Sequence, residues 1–210
     1  MKYKVMIVED QTMPRELFEL RVQASERFEL ALSIDNAALA DVYCLRFPVD
    51  LILMDVITRD GENGLDAAAR IKRAFPQIKI IIVTSMPECS YLKRAKEIGV
   101  ESFWYKEEQR ESLLDVMERT MNGESVYPGA SPELTLGMAS SYQFTERELD
   151  ILREITSGDT NQEIAERLHM SVATVKTHIL NMLEKTGFRN RTELAVRARE
   201  IGLVILNRKN

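Results

Sequence analysis

The 210-residue chain predicts two domains of different class: an N-terminal α/β domain on a parallel five-stranded sheet, and a C-terminal all-α domain of four helices. Three observations carry this expectation. Residues 1–123 alternate between short apolar runs and stretches of helical period. Residues 143–208 show helical period only, punctuated by capping residues. Between them, residues 124–142 are rich in Gly, Pro and Ser, which is linker chemistry.

In the first half the expected strands are Tyr3–Val8, Phe28–Ile34, Leu51–Met54, Ile80–Val83 and Ser102–Tyr105. Each is short and dominated by aliphatic and aromatic residues, as strands covered on both faces are. Helical segments separate them, at about Pro14–Arg21, Asn36–Phe47, Leu65–Phe75, Tyr91–Ile98 and Arg110–Met121.

Such sheets place their working residues at the carboxyl ends of the strands. Strand one ends in Glu9–Asp10, strand three in Asp55, strand four in Thr84–Ser85 and strand five in Lys106. Three carboxylates, a hydroxyl and an ammonium thus converge on one rim. Crowded carboxylates need a cation, and a hard ion such as Mg²⁺ accepts a few oxygens plus waters. A carboxylate beside Mg²⁺ and a lysine can accept a phosphoryl group, because both cations offset the incoming charge. A nearby threonine hydroxyl can then hydrogen-bond the new phosphate. Each residue alone is as readily a turn former, a cap or a solvated charge; their convergence carries the reading. The acid cluster by itself also permits an aspartyl-phosphate enzyme such as a phosphohydrolase.

The ordered segments VMIVED, LILMD, IIIVTS and SFWYK make Met1–Gly123 resemble the receiver domain of two-component response regulators. The resemblance implies a flavodoxin-like (βα)5 fold with Asp55 as phospho-acceptor. It further implies Mg²⁺ held by Glu9, Asp10, Asp55 and the backbone carbonyl of Ile57, and switch residues Thr84, Phe103 and Lys106. One loop departs from the family. Asp55–Gly64 lacks the usual Met-Pro pair and is one residue longer, with Arg59 and Asp60 placed to alter access to the phosphoryl group.

The connecting stretch Asn122–Gln143 holds Gly123, Pro128, Gly129, Pro132 and Gly137. Leu134, Leu136 and Met138 within it suggest a short helix docked on one domain.

The C-terminal helices are expected at Thr145–Thr156, Asn161–Leu168, Val172–Thr186 and Arg191–Ile201. Thr145-x-x-Glu148 and Thr160-x-x-Glu163 fit the capping box, and Asn190-x-x-Glu193 is a related cap. Gly158 and Gly187 stand where two of these helices should stop. The run Asn161–His178 reads as two helices joined by the tight turn His169–Met170–Ser171, with Ser171 as N-cap. Val172, Val175, Ile179 and Met182 share one face of the second helix. The opposite stripe, Ala173, Lys176, Thr177 and Leu180, is short, mixed and weakly charged, suited to base edges and thymine methyls.

The stretch from Phe144 to Ala195 resembles the helix-turn-helix domain of LuxR-type transcription regulators. With the receiver-like half it resembles the NarL/FixJ response regulators. On that resemblance the DNA contacts fall on Thr160, Asn161, Ser171, Thr174, Lys176, Thr177, Leu180, Asn181, Arg189 and Arg191. The last helix would form a dimer contact. Its continuation, the apolar run Ile201–Leu206, is either core or interface.

Charge argues the other way. The chain carries −5; residues 141–210 hold 11 Lys+Arg against 10 Asp+Glu, leaving +1 there and −6 in residues 1–140. Local placement outweighs the sum for phosphate contact, and Lys176, Lys185, Arg189 and Arg191 cluster on or just after the recognition helix. A near-neutral reader nonetheless predicts weak binding by one copy and a need for a dimer. No apolar run is long enough for a membrane helix, and MKYKVMIVED does not read as a signal peptide. The two cysteines, Cys44 and Cys89, form no metal or disulfide pattern, and Cys44 is expected buried on a helix.

The resulting expectation is a cytoplasmic, non-enzymatic regulator. A sensor histidine kinase phosphorylates Asp55, and a homodimer binds inverted-repeat promoter DNA. The alternative is a phosphorylation-independent DNA-binding regulator with an atypical receiver.

Overall fold

In the computed structural model, which describes residues 2–59, 63–87, 89–107 and 111–204, five parallel strands run in the order β2-β1-β3-β4-β5. They are β1 (Tyr3–Val8), β2 (Phe28–Ile34), β3 (Leu51–Met54), β4 (Lys79–Thr84) and β5 (Ser102–Tyr105). The helices are α1 (Thr12–Gln23), α2 (Ala40–Arg46), α3 (Gly64–Ala74), α4 (Cys89–Ile98) and α5 (Leu113–Met121). Val5, Ile7, Leu51, Leu53, Ile81 and Val83 pack with Phe18, Trp104, Val116 and Met117 in one core. Their neighbours Met6, Ile52, Met54, Ile80 and Ile82 are equally buried, so both sheet faces are covered. The strand order reverses direction between β1 and β3, and ligands in such sheets bind outside the carboxyl ends at that point.

Element boundaries moved for local reasons. α1 begins two residues before Pro14, because a proline in the first turn gives up an amide that no helix bond needs. The second helix opens as a 3-10 turn at Ala37–Leu39, where the Asn36 side chain accepts from the Ala38 amide. α5 starts at Leu113 behind its N-cap Ser112; Arg110 lies outside the described residues. Cys44 sits on α2 but is only half-buried.

The chain forms two compact units, Met1–Ser85 with Tyr91–Ala130, and Ser131–Asn210 with Met86–Ser90. The second unit holds α6 (Glu146–Thr156), α7 (Asn161–Arg167), α8 (Val172–Thr186) and α9 (Arg191–Glu200). Both capping boxes form reciprocally, at Thr145/Glu148 and Thr160/Glu163. Ser171 accepts from the Thr174 amide, and Asn190 from that of Glu193. His169 takes a left-handed φ of 53° in the turn between α7 and α8, a conformation histidine tolerates better than most residues. Leu149, Leu152, Ile164, Val175, Ile179, Met182, Leu194 and Ala198 form the core. Leu203 and Val204 join it, so the described part of the terminal apolar run is core.

The expected linker helix is instead a hairpin, β6 (Thr135–Leu136) paired antiparallel with β7 (Ala139–Ser140). Leu134 and Leu136 stand two residues apart, the spacing of a strand, and Met138 falls in the turn between β6 and β7. Leu136 is buried in the helical core, whereas Met138 is exposed. Gly137 makes the turn at φ +61°, and a Cβ there would lie 2.1 Å from the Thr186 carbonyl oxygen. The Met138 amide donates to that oxygen at 3.0 Å, satisfying a carbonyl left over at the end of α8.

Candidate functional site

The rim expected from the strand ends forms at the β1/β3 reversal. Glu9, directly after β1, and Asp55, directly after β3, are almost fully buried at 1% and 5% exposure. Asp10 is half-buried beside them. One oxygen from each of Glu9, Asp10 and Asp55 lies within 4.8 Å of the others. Lys106, directly after β5, reaches across and donates to Glu9 Oε2 at 2.5 Å and Asp55 Oδ2 at 2.8 Å. Its own amide donates to the Thr84 carbonyl at 2.9 Å, which joins the ends of β4 and β5. Thr84 is fully buried.

Charge in this rim is unbalanced. Burial, reinforced by Asp55, pushes the Glu9 carboxyl up to about 7, although Lys106 and the Gln11 amide oppose the shift. Burial also raises Asp55, against the pull of Lys106 and of the Val56 and Ile57 amides. Burial would depress the Lys106 ammonium, but Asp55 and Glu9 more than offset it and hold it charged. Three carboxylates face one ammonium, and the surplus is negative charge on hard oxygens. That donor set fits a divalent cation such as Mg²⁺.

Two residues that the sequence did not single out shape the rim. A Cβ on Gly64 would lie 1.9 Å from the Asp55 carbonyl oxygen, so only glycine lets α3 start against the acceptor. Arg15 donates to the Glu9 carbonyl at 3.0 Å and anchors the acidic pair from α1. Ile57 is half-buried and bridges to Asn63. The divergent loop is tied down at its start. Thr58 accepts from the Ala37 amide at 3.0 Å, and Arg59 pairs with Asp35 at 2.8 Å. Asp60 lies outside the described residues. Phe103 is buried on β5, with its ring 5.0 Å from Tyr105 and 6.4 Å from Tyr127.

In the second unit Ala173, Thr174, Lys176, Thr177, Leu180 and Asn181 are exposed along α8, opposite the buried Val175, Ile179 and Met182. Ser171 and Thr174 hydroxyls are 2.8 Å apart at its N-terminus, and Thr177 donates back to the Ala173 carbonyl. The basic cluster expected here is smaller than its sequence count. Lys185 points into the fold, donating to both Glu148 oxygens and to the Gln143 carbonyl. Arg191 donates to Asn161 Oδ1 at 2.8 Å and the Asp159 carbonyl at 2.6 Å, and Thr160 serves its capping box. Lys176 and Arg189 remain exposed.

Comparison with known proteins agrees with both halves. The family model described as response regulator receiver domain matches residues 5–118, and that of bacterial regulatory proteins, luxR family, matches residues 142–198. The response regulator protein VraR of Staphylococcus epidermidis is 34% identical, covering 97% of this chain and all of its own. VraR of Staphylococcus aureus is 33% identical with the same coverage. Among solved structures, RcsB from Salmonella enterica serovar Typhimurium bound to promoter P1flhDC superposes with a TM-score of 0.61 at 18% identity, over 97% of this chain and 100% of that one. The response regulator ChrA gives 0.52 at 21% identity, over 97% and 99%. At such identities the structural likeness is one of fold. Among the described residues no helix is long and apolar enough to cross a membrane. The two family models and the full-length relatives place this chain among the NarL/FixJ-type two-component response regulators, DNA-binding transcription regulators rather than enzymes, in which a receiver domain precedes a LuxR-type helix-turn-helix domain.

Proposed function

We propose that Asp55 is the phospho-acceptor and that a sensor histidine kinase is its donor. The observation that carries this is the buried Asp55 carboxylate at a sheet reversal, 2.8 Å from a lysine and flanked by two further acids. A carboxylate oxygen of Asp55 forms the new bond to phosphorus as the bond to the phosphohistidine nitrogen breaks. Lys106 compensates the charge gathering on the phosphoryl oxygens. Glu9, Asp10, Asp55 and the Ile57 carbonyl would hold Mg²⁺, which supplies further charge compensation when bound. Thr84 hydrogen-bonds the attached phosphoryl group, and Phe103 repacks in response.

The receiver is placed at 1–123 and the DNA-binding domain at 143–208, with 124–142 contributing packing to both. The outward face of α8 enters the major groove. Lys176, Thr177, Leu180 and Asn181 face the bases, Leu180 toward a thymine methyl. Ser171, Thr174 and Arg189 contact phosphates, as do Thr160 and Asn161 at the start of α7 and Arg191 at the start of α9, which also ties the two helices together through Asn161. Two copies bind an inverted repeat through α9, where Val196 is half-exposed. RcsB, a structural neighbour, is described as dimers bound to DNA, which supports this assembly. The site of action is the cytoplasm.

The test is phosphoryl transfer from a small donor with Mg²⁺ to wild type and Asp55→Asn, followed by selection of bound DNA. Wild type should gain one phosphoryl group and enrich a two-fold-symmetric site, and the variant should stay unlabelled. Labelling of the variant at the wild-type rate would remove Asp55 from the role.

A further inference from the structure

β5 is the last strand of its sheet, so its outer edge is open to another segment. Residues just past α5 occupy that edge. The Phe103 amide donates to the Val126 carbonyl at 2.9 Å. The Val126 amide donates to Ser102 Oγ at 3.1 Å. That hydroxyl lies 2.7 Å from Thr120 Oγ1, which donates to the Val116 carbonyl at 2.6 Å, so a buried chain of hydroxyls fixes Val126 to α5. Tyr127 adds three contacts. Its hydroxyl donates to the Val100 carbonyl at 2.7 Å, its ring lies 6.4 Å from that of Phe103, and Lys96 Nζ sits 5.0 Å from its ring centroid. Burial, with Glu101 nearby, raises the phenol further above the neutral range, so the hydroxyl remains a donor.

Phe103 therefore meets this segment twice, through its backbone amide and through its ring. Close-packed rings do not reorient independently. A repacking of Phe103 must disturb Tyr127, and the attachment rests on few hydrogen bonds at a sheet edge, where opening is cheap.

We propose that Val126–Tyr127 is a releasable clasp on β5, and that Tyr127 is the positioning residue through which the state of Phe103 reaches the chain leading to the DNA-binding unit. The proposal rests on the reading of Asp55 as acceptor and Phe103 as switch. Release of residues 124–130 would lengthen the connection by up to roughly 23 Å, changing which paired arrangements of the DNA-binding units are reachable.

The experiment is amide hydrogen exchange on the full chain, with mass analysis of Asp55, before and after a small phosphoryl donor with Mg²⁺. Phosphorylation should speed exchange at Phe103 and Val126 on the order of tenfold. Tyr127→Ala should show that faster exchange without phosphoryl donor and respond little to it. Its unphosphorylated DNA affinity should approach that of phosphorylated wild type. Tyr127→Phe, which keeps the ring, should respond to phosphorylation as wild type does. A phosphorylated Asp55 with unchanged exchange at Phe103 and Val126 overturns the clasp alone. Absence of the phosphoryl mass overturns the reading of Asp55 and the clasp with it.

Discussion

Each half of the chain sets a lysine against a buried glutamate, and the two arrangements have opposite consequences. In the helical unit Glu148 meets Lys185 at 2.8 and 2.7 Å and caps Thr145. Burial would raise its pKa, but the Lys185 hydrogen bonds and the Thr145 amide and hydroxyl outweigh it and hold it below the ordinary value. In the α/β unit Lys106 is divided between Glu9 and Asp55, with Asp10 alongside. There burial wins, and both buried acids are raised. A buried pair whose charges cancel is architecture. One with surplus charge is unfinished until a cation or a proton arrives.

The contrast is best broken at Glu148. Glu148→Ala leaves the one-third-exposed Lys185 without its carboxylate and α6 without its capping box, and should cost about 2 kcal/mol of stability. Urea unfolding measures it; a loss under about 1 kcal/mol would make this an ordinary surface bridge.

The pH profile should separate the two acids by sign. Glu9 has a raised folded-state pKa, so its contribution to stability is fully present below its unfolded value and is lost as pH rises through about 7 in Mg²⁺-free buffer. Glu148 has a lowered one, so its contribution is present above the unfolded value and is lost as pH falls through the folded one. Domain-resolved thermal melts across this range should show the α/β unit weakening on the neutral side and the helical unit on the acid side. Parallel profiles would erase the distinction.

Removing a charge from the crowded rim should help rather than harm. Asp55→Asn is expected to stabilise the Mg²⁺-free protein by about 1–2 kcal/mol, an advantage that disappears with saturating Mg²⁺. A destabilised variant under both conditions would mean the rim is already balanced.

The smallest effect on stability belongs to Lys176, which is exposed on α8. Lys176→Ala should move stability by no more than about 0.5 kcal/mol, yet weaken DNA binding. A phosphate contact would show as a salt slope smaller by about one unit, and a base contact as a loss of about 1–3 kcal/mol at selected sequences only. Unchanged binding at every salt concentration would mean that α8 docks by another face.

Strands, helix order and the rim acids were readable because each sits where one periodicity gives way to another. Caps were readable because their partners lie three residues away. What escaped reading depends on distant partners. Lys185 looks like a free cation until Glu148, 37 residues earlier, folds against it. Arg191 likewise meets Asn161 across 30 residues. Gly64 reads as one more turn residue, because its necessity comes from the Asp55 carbonyl against which it packs. Leu134 and Leu136 carried the spacing of a strand, but two-residue strands are too short to read, and the turn at Gly137 and Met138 is set by the distant Thr186 carbonyl. Val126 and Tyr127 sit in a proline- and glycine-rich stretch that gives no sign of an open strand edge beside it.

The hydrogen bond from the Met138 amide to the Thr186 carbonyl has a bearing on how such a DNA reader can be moved between proteins. The stretch matched by the luxR-family model, 142–198, contains every side chain proposed to face the bases. It omits the hairpin that completes the last turn of α8 and adds Leu136 and Ala139 to the core. A fragment cut at residue 142 would keep its contacts and lose part of the frame that aims them. The piece that recombination must carry whole, in evolution or at the bench, starts no later than Leu134, so the transplantable module is longer than the signature by which it is recognised.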